Sequence, residues 1–157
     1  MTEFGLTQPF GFGHGYQHPT TATDPAAGFP FQVILDSRYR WRHVTCVFTL
    51  TTDDNAADRY VTVEYLAANG NSQVVSAAAV TVSASSTQRF CGDVKRGVSE
   101  WATHTDVLFP LSSVLMDGGG ALQVNVAGIQ AADQLSLMQF VFERFPTDPD
   151  FHPGRSD

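Results

Sequence analysis

The sequence RHVTCVFTL at residues 42–50 alternates between two kinds of side chain. One phase is largely apolar and consists of Arg42, Val44, Cys46, Phe48 and Leu50. The other phase contains His43, Thr45 and Thr49. Successive side chains of a β-strand point to opposite faces, so this period of two predicts a strand with one buried face.

The same alternation recurs along the chain. Further strand-like runs lie at residues 60–65, 74–83, 87–91, 107–111, 122–126 and 135–145. Segments that favour turns separate these runs. Asn69-Gly70 is a strong hairpin signal, Asp53–Asp58 is predicted to be a solvated hairpin turn, and Asp117–Gly120 is predicted to be a further turn. Residues 93–103 are the one stretch that could hold a short helix. The pattern predicts an all-β antiparallel β-sandwich with a jelly-roll-like topology.

The last strand-like run is apolar in both phases. Leu135, Leu137 and Val141 share one phase, and Met138, Phe140 and Phe142 share the other. A strand that is apolar on both faces is normally covered on both. We expect the second cover to be either the N-terminal segment or another subunit.

Residues 1–37 differ from the rest of the chain because they contain no Lys or Arg and many Gly and Pro residues. Such a composition predicts an extended arm. The arm also carries large apolar side chains, namely Phe4, Phe10, Phe12, Tyr16, Phe29 and Phe31. Leaving each of them in water costs roughly 1.5–3 kcal/mol relative to burial. The arm therefore packs on its own domain or reaches a neighbouring subunit, with a disordered tail as the third alternative. We assign residues 1–37 to this arm, 38–146 to the sandwich and 147–157 to a C-terminal tail.

Length and charge exclude several classes of protein. The chain has 157 residues, with 9 Lys+Arg against 16 Asp+Glu and a net charge of −7. Phosphate binding needs clustered cations, so the sequence argues against nucleic acid and anionic membranes as partners. No apolar run approaches the roughly 18 residues of a membrane span. The start of the chain lacks the basic and apolar regions of a secretory signal, so we expect no export.

No metal or cofactor site is predicted. His14 and His18 are four residues apart, but Gly and Pro flank them and no third ligand is near. The sequence DDNAADRY at residues 53–60 lacks the central Gly and terminal Glu of a calcium loop. No glycine-rich phosphate loop follows a strand-like run. Cys46 and Cys91 are expected to be two reduced thiols, because disulfides belong to exported proteins.

No catalytic residue is predicted either. The chain has no Gly-x-Ser-x-Gly turn and no Cys-x-x-Cys pair. Glu64, Glu100 and Glu143 could in principle supply the two carboxylates of a glycosidase. Glu64 lies in the polar phase of its run, and Glu143 is expected to form an ion pair. We therefore predict a protein that is not an enzyme.

The sequence SRYRWRH at residues 37–43 has the composition of an interface. Arg38, Arg40 and Arg42 alternate with Tyr39 and Trp41, so the arginines share one face of a strand and the aromatics the other. Arg, Tyr and Trp are enriched in interface cores. The alternative is an edge strand that its charges protect from unwanted pairing. The predicted interface residues are Phe10, Phe12, Tyr16, Phe29, Tyr39, Trp41 and Arg42.

Three segments together resemble a known group of proteins. They are WRHVTCVFTLTTDDNAADRYVTVEY at residues 41–65, SASSTQRFCGDV at residues 83–94 and LSLMQFVFERF at residues 135–145. They are similar to the β-sandwich virion structural proteins of tailed bacteriophages. The resemblance covers roughly residues 39–145 and includes no catalytic motif, so no residue role is carried over from it.

The resemblance implies an assembly role in a virion, as a capsid decoration or cement (minor capsid) protein. The implied partners are the major capsid protein and further copies of the chain, with a trimer as the natural copy number at three-fold positions. The implied location is the virion capsid, assembled in the host cytoplasm. One alternative is a component of the tail or the head–tail connector. The other is a carbohydrate-binding module that would use Trp41, Trp101 and Tyr60 as stacking platforms.

Overall fold

The computed structural model describes residues 16–102 and 105–147, which fold as β-strands and connecting turns without a helix. The all-β prediction is confirmed. The strands are β1 (Tyr16–Thr21), β2 (Phe31–Ile34), β3 (Tyr39–Thr51), β4 (Arg59–Leu66), β5 (Ser72–Val82), β6 (Thr87–Asp93), β7 (Glu100–Trp101), β8 (Asp106–Pro110), β9 (Leu115–Asp117), β10 (Ala121–Ala127) and β11 (Gln134–Pro146). Where a short helix was considered, at residues 93–103, the described part of the chain has a turn followed by β7. Over the same described ranges, nothing is long, helical and apolar enough to span a membrane.

The strands of the described chain form two sheets. The large sheet has seven strands in the order β1-β11-β3-β6-β8-β7, with β9 also paired to β3. The small sheet has four strands in the order β2-β10-β4-β5. Pairing is antiparallel except between β6 and β8, which run parallel. This parallel pair departs from the predicted all-antiparallel pattern.

One apolar core lies between the two sheets, as the sandwich prediction requires. Phe31 of β2 stacks on Phe140 of β11 with ring centroids 5.2 Å apart, which joins the small sheet to the large one. Deeper in the core, Phe48, Phe90 and Phe109 are completely buried and pack on one another. The side chains that alternate inward on both sheets therefore form one continuous cluster.

A β-bulge in β3 corrects the predicted phase of the opening stretch. Thr45 pairs with Val141 and His43 with Phe142, so Val44 is an extra residue between two register positions. The bulge reverses the alternation, because one added residue turns every later side chain to the other face. The side chains that face the core are Tyr39, Trp41, His43, Cys46, Phe48 and Leu50. The prediction that Arg42 and Val44 share the face of Cys46, with His43 opposite, is wrong.

A second bulge explains why β11 is apolar in both phases. The register shifts between Ser136 and Gln139, and Leu137 has a positive φ of 54°. Leu137 is therefore turned outward and is 67% exposed. The residues that face the core are Leu135, Met138, Phe140 and Phe142. The predicted division of these residues between two faces is wrong, since the bulge brings Leu135 and Met138 to the same side.

The region assigned to the N-terminal arm contributes a strand to each sheet. β1 pairs with β11, from Tyr16 opposite Arg144 to Thr21 opposite Gln139. β2 pairs with β10 at the edge of the small sheet. Residues 16–34 therefore lie on their own domain, where β1 extends β11 at the sheet edge rather than covering its second face.

The turns decide how the two sheets are connected. Asn69-Gly70 joins β4 to β5 as predicted, with Gly70 at a φ of 82°. Asp53–Asp58 instead connects β3 of the large sheet to β4 of the small sheet. It is therefore an arch between sheets, and its interpretation as a hairpin is wrong. A hairpin joins strands that pair with each other, and β3 and β4 do not.

Candidate functional site

The outer surface of the small sheet carries almost no charge. Inward positions of its strands alternate with outward ones, and Val61, Val63 and Val124 fill the core side. We call the outward surface the neutral face, formed by Gln32, Ile34, Tyr60, Thr62, Glu64, Leu66, Val75, Ala77, Gln123 and Asn125. Strand register aligns these residues in rows across the sheet, such as Gln32, Gln123, Glu64 and Val75.

Large apolar side chains project from the neutral face into solvent. Ile34 is 69% exposed, Val75 56% and Tyr60 52%. Glu64 is the one charged residue of this face, and it accepts hydrogen bonds from Thr62 Oγ1 at 2.7 Å and Asn125 Nδ2 at 3.4 Å. A carboxylate that already has protein donors loses less when water is removed from it. The neutral face can therefore be buried against a partner at a small electrostatic penalty.

The large sheet has a different surface, because arginines are paired with acids there. Arg40 binds Asp117 at 3.1 Å, and Arg89 binds Asp106 at 2.9 Å. Arg42 binds Glu143 on β11 through Nε and Nη2. Exposed ion pairs of this kind contribute about 0–1 kcal/mol each. The contrast between the two surfaces leaves the small sheet as the better candidate for docking.

The three alternating arginines each bind an acid of their own chain. Arg38 pairs with Asp36 at 2.6 Å, and Arg40 and Arg42 form the pairs described above. The strand that carries Arg40 and Arg42 is flanked by β11 on one side and by β6 and β9 on the other. The edge-strand interpretation of this segment is therefore wrong, because β3 is central in its sheet.

The predicted interface residues are spread over the molecule. Phe10 and Phe12 lie outside the described residues, and Tyr16 begins β1 at the edge of the large sheet. Tyr39 and Trp41 are 3% and 5% exposed and pack in the chain's own core, where Trp41 also packs edge-on against a phenylalanine of β11.

The remaining two members of that set are accessible but lie apart. Phe29 is 63% exposed and sits in the loop between β1 and β2. The Arg42 side chain is 39% exposed and is bound to Glu143. Sequence reasoning missed the neutral face, although the low charge of its four strands was visible. The signal is that β2, β4, β5 and β10 together contain only two charged residues, Arg59 and Glu64.

Arg59 is the other charged residue of these four strands. Its side chain is completely buried and belongs to an ion cluster at one end of the sandwich. Its Nε and Nη2 donate to Asp133 at 2.9 and 3.0 Å, and Nη2 also donates to Asp53 at 2.5 Å. Burial alone raises the pKa of Asp133, but hydrogen bonds from Arg59 and from the backbone of Gln130 and Asp53 outweigh it and hold the pKa below its usual value. The cluster fixes the arch to the loop before β11, so its role is structural.

The thiols and imidazoles do not form a reactive or metal-binding group in the described part of the chain. Cys46 and Cys91 are both free, and burial raises the pKa of each thiol. Thiols with raised pKa values are poor nucleophiles at neutral pH. His14 lies outside the described residues, and His18 is on β1. Within residues 16–102 and 105–147, no three potential ligands cluster closely enough to hold a metal ion.

The residues considered for glycan chemistry are separated by the sandwich. Trp41 is in the core, Tyr60 is on the neutral face, and Trp101 is 47% exposed on β7 of the large sheet. Glu143 binds Arg42, and Glu100 binds an arginine of the preceding turn. The structure therefore does not gather these aromatics or these carboxylates into one groove.

Comparison with known proteins gives few matches. No protein-family model and no curated protein matches the sequence. Among solved structures, a chain of the infectious bursal disease virus Gx strain is similar, with 13% identity, a TM-score of 0.41, and coverage of 87% of this chain and 32% of that one. A chain of the Gt strain is similar with 12% identity, a TM-score of 0.29, and coverage of 89% and 44%. The protein therefore spans about a third of the first solved chain and under half of the second.

Proposed function

We propose that this protein is a non-enzymatic structural component of a tailed-bacteriophage virion, a decoration or cement protein of the capsid. Its partners are the major capsid protein and further copies of itself, with a trimer at three-fold positions of the shell. Assembly takes place in the host cytoplasm. The observation that supports this proposal is the neutral face, with Ile34, Tyr60 and Val75 projecting from a surface that holds one charge.

The physical argument concerns what a protein interface needs. Interface cores are depleted in charged residues, because each unpaired charge resists dehydration. A chain of net charge −7 would normally spread carboxylates over its surface, yet one sheet surface holds only Glu64. A specific contact buries about 1,600 Å² in total. Many copies on a lattice convert modest single contacts into stable attachment.

The test places a carboxylate on the neutral face and measures binding to capsid shells that lack the protein. Ile34→Asp and Val75→Asp add a charge where both side chains are now mostly exposed, so folding is expected to be retained. If the neutral face contacts the shell, each variant binds about 30-fold more weakly, a loss of about 2 kcal/mol. Thr51→Asp, at an exposed position of β3 in the large sheet, is the matched control and should bind normally.

Co-sedimentation and light scattering with purified shells provide the measurement, and thermal melting confirms that each variant folds. Equal binding by all three variants would contradict the role of the neutral face. Binding to tails or connectors in preference to shells would contradict the capsid location and support the tail alternative.

A further inference from the structure

The one charge of the neutral face lies near its middle. Glu64 is on the inner strand β4, where the strand register places Gln123 on one side of it and Val75 on the other. Thr62 and Leu66 flank it along the strand, and its own side chain is half-buried. Any partner that covers the neutral face therefore removes water from this carboxylate, and a charge without a partner resists that dehydration.

The two oxygens of the Glu64 carboxylate differ in what they bind. Oε1 accepts hydrogen bonds from Thr62 Oγ1 at 2.7 Å and from Asn125 Nδ2 at 3.4 Å. No group of the described residues donates to Oε2, and this oxygen is not among their buried unpartnered atoms, so it faces solvent. A carboxylate oxygen accepts about two hydrogen bonds. Glu64 is therefore held in place through Oε1, while Oε2 is open to a donor from outside the chain.

The described surface of a second copy is a poor source of that donor. The neutral face has no Lys or Arg, so two copies packed face to face would bring two carboxylates together without a cation. On the large sheet, Arg40, Arg42 and Arg89 are already bound to acids of their own chain. Charge complementarity therefore favours a different protein as the occupant of the neutral face.

We propose that the capsid subunit that covers the neutral face presents an arginine to Glu64, within a contact that is otherwise uncharged. This inference rests on the proposed function. The guanidinium donates to Oε2, and the hydrogen bond is strengthened because both groups are charged. Arginine suits this position because its guanidinium is weakly hydrated and because arginine is enriched in interface cores.

The same pair selects the partner. An apolar surface without a cation would cover Val75 and Leu66 equally well, but it would leave the Glu64 charge dehydrated and unpaired. A surface with a carboxylate opposite Glu64 would be repelled. Glu64 is therefore the residue of the neutral face that determines which surface fits, and the apolar residues around it contribute contact area.

The test compares Glu64→Gln with Glu100→Gln in binding to purified capsid shells that lack the protein. Glutamine keeps the shape of the side chain and an oxygen for Thr62, but it removes the charge. Glu100 lies on β7 of the large sheet with its side chain 52% exposed, so its substitution changes the net charge equally away from the neutral face.

The expected effect is on dissociation. Removing one partner of a covered charge pair acts mainly on koff, so Glu64→Gln should raise koff about tenfold or more and leave kon within about twofold. Glu100→Gln should change neither rate by more than about twofold. Unchanged or slower dissociation of Glu64→Gln would overturn the proposal.

A third variant, Glu64→Lys, reports the sign of the partner's charge. Opposite an arginine, the lysine should weaken binding at least about tenfold beyond Glu64→Gln, because like charges then meet. Equal binding by the lysine and glutamine variants would mean that the partner's group is neutral, and tighter binding by the lysine variant would mean that it is acidic. Either result would overturn the proposal, and thermal melting shows that each variant is folded.

Ile34→Asp separates this proposal from the proposed function. If Ile34→Asp weakens binding and Glu64→Gln does not, the neutral face docks on the shell but Glu64 meets no cation there. If Ile34→Asp binds shells as tightly as wild type, or wild type does not bind them, the proposed function fails and this inference fails with it. Light scattering of the free protein adds one more outcome: self-association that Ile34→Asp abolishes would identify a second copy as the occupant and overturn the proposal.

Discussion

The buried ion cluster gives the sharpest stability prediction, for the substitution Asp133→Asn. Each oxygen of this carboxylate accepts two hydrogen bonds from N–H groups. Oδ1 accepts from Asp53 N at 2.8 Å and Arg59 Nη2 at 3.0 Å, and Oδ2 accepts from Arg59 Nε at 2.9 Å and Gln130 N at 2.8 Å. If the NH2 group of an asparagine replaced either oxygen, it would face two N–H donors and could accept a hydrogen bond from neither. The substitution also leaves the Arg59 charge with Asp53 as its one carboxylate partner.

The expected magnitude follows from these contacts. Breaking a buried ion pair by changing one partner costs about 3–5 kcal/mol. The entropy of unfolding is about 2.1 cal/mol/K per residue, or about 0.33 kcal/mol/K for 157 residues. Asp133→Asn should therefore lower the melting temperature by about 10 °C or more at pH 7. Asp117→Asn breaks the exposed pair with Arg40, and this control should lower it by less than about 3 °C.

Calorimetry at several pH values provides the assay. The folded-state pKa of Asp133 is below its unfolded value, so its contribution is present above about pH 4 and is lost as the pH falls through the folded pKa. The difference between wild type and Asp133→Asn should shrink correspondingly in acid. Equal small shifts for Asp133→Asn and Asp117→Asn at pH 7 would refute the reasoning.

Three further predictions concern single residues. Burial lowers the pKa of His43 to about 4, so the unfolded chain binds a proton more readily than the folded one. The free energy of unfolding should therefore fall by up to about 1.4 kcal/mol per pH unit as the pH drops from about 6.5 to 4. Urea melts of His43→Gln should lack this pH-dependent loss of stability. Gly118→Ala should destabilise the fold by at least about 2 kcal/mol, because the added Cβ would lie 2.2 Å from the Asp36 carbonyl oxygen. As a control, the Cβ added by Gly97→Ala meets no atom within 4 Å, so this variant should be nearly as stable as wild type in the same melts. Leu137→Asn should stabilise by about 0.5–1 kcal/mol, because Leu137 is strained at a φ of 54° and mostly exposed; a loss of stability in urea melts would contradict this.

Much of the fold could be predicted from local pattern. Alternation identified β3, β4 and β10, a long apolar run identified β11, and Asn69-Gly70 identified a hairpin whose strands do pair. The phase of β3 and β11 could not be predicted, because Val44 and Leu137 occupy bulges that depend on the partner strand. A single residue added to one strand leaves no compositional trace.

The candidate site was harder to predict, since it depends on which strands share a sheet. The low charge of the neutral face is a property of four strands that are dispersed in sequence and adjacent in space. The Arg59–Asp133 contact joins residues 74 positions apart. Tyr39 and Trp41 have the composition of interface residues, but the same apolar area also suits them to the core that they occupy.

The pairing of β3 with β11 has a consequence for how the chain folds during synthesis. Arg42 and Glu143, which meet across these strands, are separated by 101 residues. A ribosome must therefore make nearly the whole domain before the central strand of the large sheet gains this neighbour. Pairings this distant slow folding, because the intervening chain must be ordered before the contact forms. Until then the edge of β3 that β11 covers keeps unpaired backbone N–H and C=O groups, and the nascent protein is most prone to aggregate in that interval.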